Sequence, residues 1–393
     1  MLRRTPLFAA HQRLGARLVE FGGWEMPVQY TGIVEEHLAV RRAAGLFDIS
    51  HMGEFVVSGP GAEAFLNHTL TNDLRKLAVG QGQYSMLCNE RGGVVDDLYV
   101  YRLKDDEYLL VVNAARTAAD WDWLQTQVDH APTPDGFQLQ NVSDEWAAVA
   151  VQGPRVVEFI GAVIPGGSIG GTLAARVTDL KKNQIAGFVF RGVSLLVART
   201  GYTGEDGFEV LVPAGHAEAL WNALLEAGEA SGLKPAGLGA RDTLRTEMGY
   251  PLYGHELNET TTPFEAGITF CVALDKGDFT GRAALLRQKA AGVARKCVAF
   301  RMAGQSAPPR PGYALWSAGP ASRPLGQVVS GTLSPSLGVG IGLGFVPVEF
   351  AAPGTALEVE IRGRRAPALV VPKPIYRPAA AGATSTSTGA KAS

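Results

Sequence analysis

Two runs of alternating residues joined by a tight polar turn restrict the fold most: Gln83–Cys88, then Asn89-Glu90-Arg91-Gly92-Gly93, then Val94–Tyr101. Such runs joined by a short glycine-bearing link make an antiparallel hairpin. Neighbouring strands of a doubly wound sheet need crossovers of about a dozen residues or more. Hairpins interleaved with helical segments therefore predict an α+β fold. Alternation also puts Val94, Asp96, Leu98 and Val100 on one face of the second strand and Val95, Asp97, Tyr99 and Tyr101 on the other. The adjacent carboxylates of Asp96 and Asp97 are thus split, one per face, in an otherwise apolar strand. An unpaired buried charge is costly, so Asp97, with two tyrosines behind it, is the first site candidate.

Around this hairpin the pattern predicts helices over Ile33–Ala44 (stopped by Gly45), Gly61–Leu70, Ala115–Val128, Ala217–Ala230 and Gly239–Met248. Strands are predicted over Tyr108–Asn113, Ala147–Val151, Val193–Arg199 and Ile268–Leu274, and from Glu209 onward. Residues 5–33 read as loop around Phe21-Gly22-Gly23-Trp24, and Leu46–Val57 as a strand pair or one bent strand. A boundary falls near Asp275–Gly281. Beyond it, strands Lys296–Met302, Gly326–Ser330, Gly340–Val346 and Ala356–Ile361, separated by Gly/Pro turns, read as a small β barrel or sandwich. Residues 379–393 contain only Ala, Gly, Ser, Thr and Lys and are expected to be disordered.

A chain of 393 residues exceeds what one core organises, so two or three domains are expected. A net charge of -2 offers no footprint for nucleic acid. Three cysteines, Cys88, Cys271 and Cys297, lie far apart without metal or redox spacing and suit a reducing compartment. No apolar run reaches the length of a membrane span. The opening residues carry two arginines but no signal-type apolar segment. A cytoplasmic protein is expected, with no membrane contact.

Three further residues stand out. Gly201, Gly204 and Gly207 repeat every third position as in a phosphate loop, but no Gly-Lys-Ser/Thr follows, and Glu205 and Asp206 would repel phosphate. Glu209, just beyond, points opposite to Phe208 and Val210 and could accept paired hydrogen bonds from an amino-pyrimidinone edge; a solvated edge-strand acid remains the alternative. Arg241 falls in the first turn of a helix, where the dipole disfavours a cation. It needs a partner: Asp242, Glu247, a domain contact or an anionic ligand. His51, the one histidine in a strongly patterned stretch, reads as structural. With no second His or Cys at ligand spacing, no metal site is expected.

Several longer stretches carry a specific resemblance. These are Phe21-Gly22-Gly23-Trp24-Glu25-Met26-Pro27, Asp48-Ile49-Ser50-His51-Met52-Gly53-Glu54, Cys88 through Leu98, Arg199 through Glu209, Gly237 through Asp242, and Thr262-Pro263-Phe264-Glu265. In this order, over nearly the whole chain, they resemble the T-protein (aminomethyltransferase) family of the glycine cleavage system. The resemblance implies a three-domain cloverleaf, with two intertwined α+β domains over 1–275 and a small β-barrel domain over 282–377. It also implies transfer of a methylene group from the aminomethyl-lipoyl arm of the glycine cleavage H-protein to tetrahydrofolate, a co-substrate, with release of ammonia. Metal, flavin and nicotinamide have no part in that reaction. The glycine decarboxylase (P-protein) and dihydrolipoamide dehydrogenase (L-protein) would be functional associates. Within the resemblance Asp97 is the acid beside the reacting folate nitrogens and Asp96 is structural. Glu209 holds the pterin edge, and Arg241 and Tyr376 help fix the folate. Tyr84, Tyr101, Asn113 and Tyr202 are lining residues. Folate-dependent demethylases, and folate-binding proteins of iron–sulfur assembly or tRNA modification, are the alternatives. The former would be expected to carry an upstream flavin module. The latter would carry a cysteine motif near the loop that here reads Gly-Tyr-Thr-Gly-Glu-Asp.

Overall fold

The computed structural model describes residues 2–130, 134–304 and 306–377; the tail 379–393 lies outside them. The hairpin forms one edge of a five-stranded antiparallel sheet. Its order is Gln81–Cys88, Val94–Lys104, Glu107–Val112, Gly53–Ser58 and Gln138–Asn141. One face presents Phe55, Leu98, Val100 and Leu110 to the helices Ala62–Thr69 and Thr117–His130, which supply Phe65, Leu66 and Leu124. The other face carries Tyr99, Tyr101, Leu109 and Val111 against Ala148, Ala150 and Leu211 of a second sheet.

That second sheet has seven strands, in the order Gly170–Gly171, Ile185–Phe190, Val193–Ala198, Gly207–Pro213, Trp146–Gln152, Ala44–Asp48 and Leu233–Pro235. Only the last pair is parallel. Phe208 and Val210 point to its outer face, where the helix Ala217–Gly228 packs Leu220, Trp221 and Leu224. The five-stranded sheet is built entirely from chain lying between Asp48 and Trp146, so the two sheets are nested in sequence. At the C-terminal end six strands close into a barrel: Arg295–Met302, Gly340–Pro347, Pro324–Leu333, Ala314–Ser317, Ala356–Ile361 and Arg364–Val371. The architecture is α+β, as the hairpins predict. No helix of the described residues is long and apolar enough to cross a membrane.

Local differences from the sequence reading have physical causes. Residues 5–33 are ordered into the helix Phe8–Arg13 and the hairpin Arg17–Phe21/Trp24–Gln29. Gly22 and Gly23 are its turn, at φ 57° and 85°. Two successive positive φ values match the twist of a two-residue hairpin loop, and only such small residues adopt them freely. The helix from Ile33 ends at Arg42, and Gly45 is not its stop but lies inside the strand Ala44–Asp48. A Cβ there would meet Val40 Cγ2 at 2.4 Å, so the glycine serves close helix–strand packing. Ile268–Leu274 is not a strand. Its buried residues Ile268, Cys271 and Leu274 are three apart, a turn-like period, and Phe270 stands 77% exposed.

Alternation also breaks near the start of the strand Val94–Lys104. Leu87 pairs with Asp96 but Cys88 pairs with Val94, so the strand carries an extra residue at Val95. Val95 accordingly packs with Leu98 and Val100, and Val94 with Met86 and Cys88. From Asp96 onward the predicted parity holds.

Candidate active site

Asp97 lies on the sheet face shared with Tyr99 and Tyr101, where both carboxylate oxygens are held. Tyr84 Oη donates to Oδ2 at 2.8 Å, and Asn113 Nδ2 donates to Oδ1 at 2.9 Å. Asn113 is fixed in turn by Asp96, which accepts from the Asn113 backbone N at 3.1 Å and from Nδ2 at 2.9 Å. No Lys, Arg or His forms an ion pair with Asp97 among the described residues. Burial, then the charge of Asp96, push the Asp97 carboxyl up to about 7, against the bonds from Tyr84 and Asn113. The group therefore changes charge near neutral pH, which suits an acid or an electrostatic partner at a reacting centre. Burial and the charge of Asp97 raise the Tyr84 hydroxyl far above its ordinary range, so Tyr84 is a fixed donor.

The wall formed by the seven-stranded sheet carries Glu209. It projects from Gly207–Pro213 on the face opposite Phe208 and Val210, as alternation predicts. Its Oε2 accepts from Thr200 Oγ1 at 2.6 Å, and Thr200 is also bonded to the Tyr101 hydroxyl at 2.9 Å. Oε1 receives no hydrogen bond from the described residues. Burial raises the Glu209 carboxyl, while Thr200 and the charge of Arg241 oppose the rise.

Arg241 completes the wall from the helix Leu238–Met248. The partners considered for it are taken by others. Asp242 and Glu256 bind Arg245 at 2.7 and 3.1 Å, and Glu247 binds Arg41 at 2.8 Å. Arg241 keeps no ion pair among the described residues; its guanidinium lies 4.7 Å from the centre of the Tyr202 ring. Burial lowers its basicity, while Tyr202 and Glu209 oppose the change. Tyr202 stacks in turn on Tyr250, with ring centres 5.8 Å apart. A recess of about 280 Å³ adjoins this group and is lined by Tyr99, Lys182, Arg199, Thr200 and Tyr250, though not by Asp97 or Glu209 themselves.

Asp97 and Tyr84 thus make one bonded pair, Glu209 and Thr200 a second, and Arg241 with Tyr202 a third; the charge of Arg241 is felt at Glu209 and that of Asp97 at Tyr202. Asn113 and Tyr101 support these groups. The Asn113 amide is consumed by carboxylates, and Tyr101 is only 1% exposed, with its hydroxyl committed to Thr200. Tyr376 stands one layer further out, its ring 4.5 Å from the Arg41 guanidinium and its backbone N bonded to Glu247 O. Sequence reasoning missed Thr200, Tyr250, and Phe270, whose ring centre is 5.9 Å from that of Tyr84. Thr200 stands immediately before the Gly-Tyr-Thr-Gly loop, a hydroxyl nine residues from Glu209, and that proximity is its sequence signal. Phe270 was masked by the expected strand. His51 is buried against Phe21, and burial lowers its imidazole to about 4, so it is neutral in the core.

The same chain matches known proteins over almost its full length. The family described as "GCVT N-terminal domain" matches residues 7–276, and "Glycine cleavage T-protein C-terminal barrel domain" matches 295–377. The chain is 49% identical over 377 residues to an aminomethyltransferase of Symbiobacterium thermophilum, covering 96% of this chain and 98% of that one. It is 45% identical over 382 residues to one of Caldanaerobacter subterraneus, covering 96% of each. The crystal structure of the glycine cleavage system aminomethyltransferase T of Bartonella henselae superposes with a TM-score of 0.85 at 35% identity, covering 96% of this chain and 99% of that one. Two family matches in tandem, one on the paired sheets and one on the barrel, agree with these full-length similarities: the chain belongs to the glycine cleavage T-protein family of aminomethyltransferases.

Proposed function

We propose that Asp97 is the electrostatic partner of the reacting carbon in this aminomethyltransferase, and that Glu209 and Arg241 hold tetrahydrofolate opposite it. The donor is the aminomethyl group carried on the lipoyl arm of the glycine cleavage H-protein. The P-protein and L-protein act before and after this step, and we assign the work to the cytoplasm, in keeping with three free, buried cysteines. The folate supplies two amine nitrogens that come to share the methylene carbon, while their two protons balance the ammonia and the dihydrolipoyl thiol that leave.

The observation that carries the reading is Asp97: a desolvated carboxylate, fixed by two hydrogen bonds and without an ion-pair partner among the described residues. Positive charge grows on the carbon and its nitrogens as the C–S or C–N bond breaks. A negative group already in place stabilises that charge without reorganising, and a dry site strengthens the attraction. The unbonded Glu209 oxygen fits an amino-pyrimidinone edge, which offers N–H donors side by side. Arg241, without an ion-pair partner among the described residues, suits a carbonyl or carboxylate of the same ligand. Tyr84 and Phe270, with ring centres 5.9 Å apart, supply aromatic surface beside Asp97 for a planar molecule.

Purified protein supplied with tetrahydrofolate and aminomethyl-loaded H-protein should release ammonia and form 5,10-methylene-tetrahydrofolate. Ammonia release no greater than in the absence of folate would overturn the reading.

A further inference from the structure

Behind the proposed reaction acid the fold buries a second acid that this reaction scheme leaves unused. Asp120, on the helix Thr117–His130, is 0% exposed, and neither carboxyl oxygen meets a hydrogen-bond donor among the described residues. What faces it is the side chain of Asp96, also 0% exposed. Asp96 shares its strand face with Leu98, which packs against Leu124, one turn along the helix from Asp120. This places the two carboxyls within hydrogen-bonding reach. Two ionised carboxylates at that separation, away from water, repel strongly, whereas one proton between them turns repulsion into a hydrogen bond. The shared proton also supplies the donor that Asp120 otherwise lacks.

The surroundings decide where the remaining charge sits. Arg116, in the short turn before the helix, donates to Val95 O at 3.1 Å and to Glu259 at 3.0 Å, with the Tyr253 ring centre 4.8 Å from its guanidinium. Its charge favours an ionised Asp120. On the other side, Asn113 Nδ2 donates to both Asp96 and Asp97. The charge state of Asp96 is therefore felt directly at Asp97, where the Tyr84 and Tyr202 hydroxyls and the Cys271 thiol are the other titratable neighbours.

We propose that Asp96 and Asp120 share one proton whose complementary charge rests on the Asp120 side, so that Asp120 is a positioning residue keeping full negative charge off the wall behind Asp97. The inference rests on the assignment of Asp97 as the acid at the reacting carbon. A full charge on Asp96 is part of what lifts Asp97 toward 7, and keeping that charge on Asp120 instead leaves Asp97 freer to ionise at neutral pH.

Asp120→Asn tests this. The new amide donates to Asp96 and favours its ionised form. The acid limb of kcat should then move to higher pH by roughly one unit, with activity recovering on the alkaline side and KM for tetrahydrofolate unchanged. Asp120→Glu, which keeps the carboxyl, should retain the wild-type limb. Independently of turnover, infrared spectra of the folded Asp97→Asn variant at neutral pH, in which Asp97 itself cannot contribute, should contain a protonated-carboxyl band that adding Asp120→Asn removes. Glu54, held protonated by burial, contributes a separate band that Glu54→Gln identifies. Absence of the Asp120-dependent band would overturn the shared proton. A kcat lowered by one factor at every pH would reduce Asp120 to a structural role. Near-normal turnover in Asp97→Asn would instead refute the Asp97 assignment, while the band still reports on the pair.

Discussion

Asp97 combines two influences that usually exclude each other. Burial disfavours its charge, yet Tyr84 and Asn113 are aimed to stabilise that charge. Asp97→Asn keeps the shape and can keep the Tyr84 bond, but not the charge. An interaction that strengthens as positive charge develops is lost from kcat rather than from ground-state binding. We expect kcat to fall by roughly 10²–10³, the scale of losing one preorganised electrostatic group, with folate Kd little changed. Equal losses in both would make Asp97 a binding residue. Glu209→Ala should do the reverse. It removes an acceptor from the proposed pterin edge and should cost about 1.5–3 kcal/mol of folate binding, as for a hydrogen bond to a charged group. An unchanged calorimetric titration would take Glu209 out of the site.

The turn and bulge before Asp96 show how one short element sets two faces. Gly92 adopts φ 82°, and a Cβ on Gly93 would stand 1.9 Å from the carbonyl oxygen of Glu259. That carbonyl belongs to the backbone, so it cannot swing aside as a side chain could. Val94 N is bonded to Asn258 O and Thr261 O, which ties the hairpin to the 258–261 loop. Gly93→Ala should therefore lower stability by about 1–3 kcal/mol, the range for overpacking, and depress kcat by shifting the Asp96–Asp97 strand. Gly161→Ala, where nothing lies within 4 Å of the new Cβ, is the matched control. Equal melting temperatures for the two variants would refute the account.

Across the molecule, the helix Leu238–Met248 fastens the paired sheets to the barrel. Glu247 accepts from Arg41 at 2.8 Å and from Ser336 Oγ at 2.9 Å, and it also bonds Ser334 and faces His37 at 3.3 Å. Arg245 reaches Ser330 Oγ of the barrel at 2.8 Å. Burial raises the Glu247 carboxyl, but His37, Ser334 and Arg41 outweigh it and bring it down to about 2, below its ordinary value of 4.5. A carboxyl depressed in the folded state contributes stability above its unfolded value and loses it as pH falls through the folded one. Glu247→Gln should thus lose about 3–5 kcal/mol near neutral pH, as when one partner of a buried pair is removed. The gap to wild type in urea midpoints should narrow as pH drops from 4.5 toward 2. A gap independent of pH would show that the contribution is packing, not charge.

Strand parity, glycine turns and the absence of crossover-length links were enough to read α+β, the hairpin, four of the six barrel strands (not Ala314–Ser317 or Arg364–Val371) and the inward pointing of Asp97 and Glu209, because each depends on residues close in the chain. The side chains on Asp97 show the limit. Tyr84 is on the neighbouring strand and Asn113 lies just past the end of the next one, and register with the Tyr84 strand includes a bulge at Val95 that alternation alone does not reveal. Arg241 illustrates the same point from the opposite direction. The sequence offered it Asp242 and Glu247, and packing assigned those acids to Arg245 and Arg41. Asp120, remote from Asp96 in the chain, met it only when the helix Thr117–His130 closed over the sheet. Local alternation decides which way a carboxylate points; which partners it meets, and hence how much charge it carries, depends on contacts between distant segments.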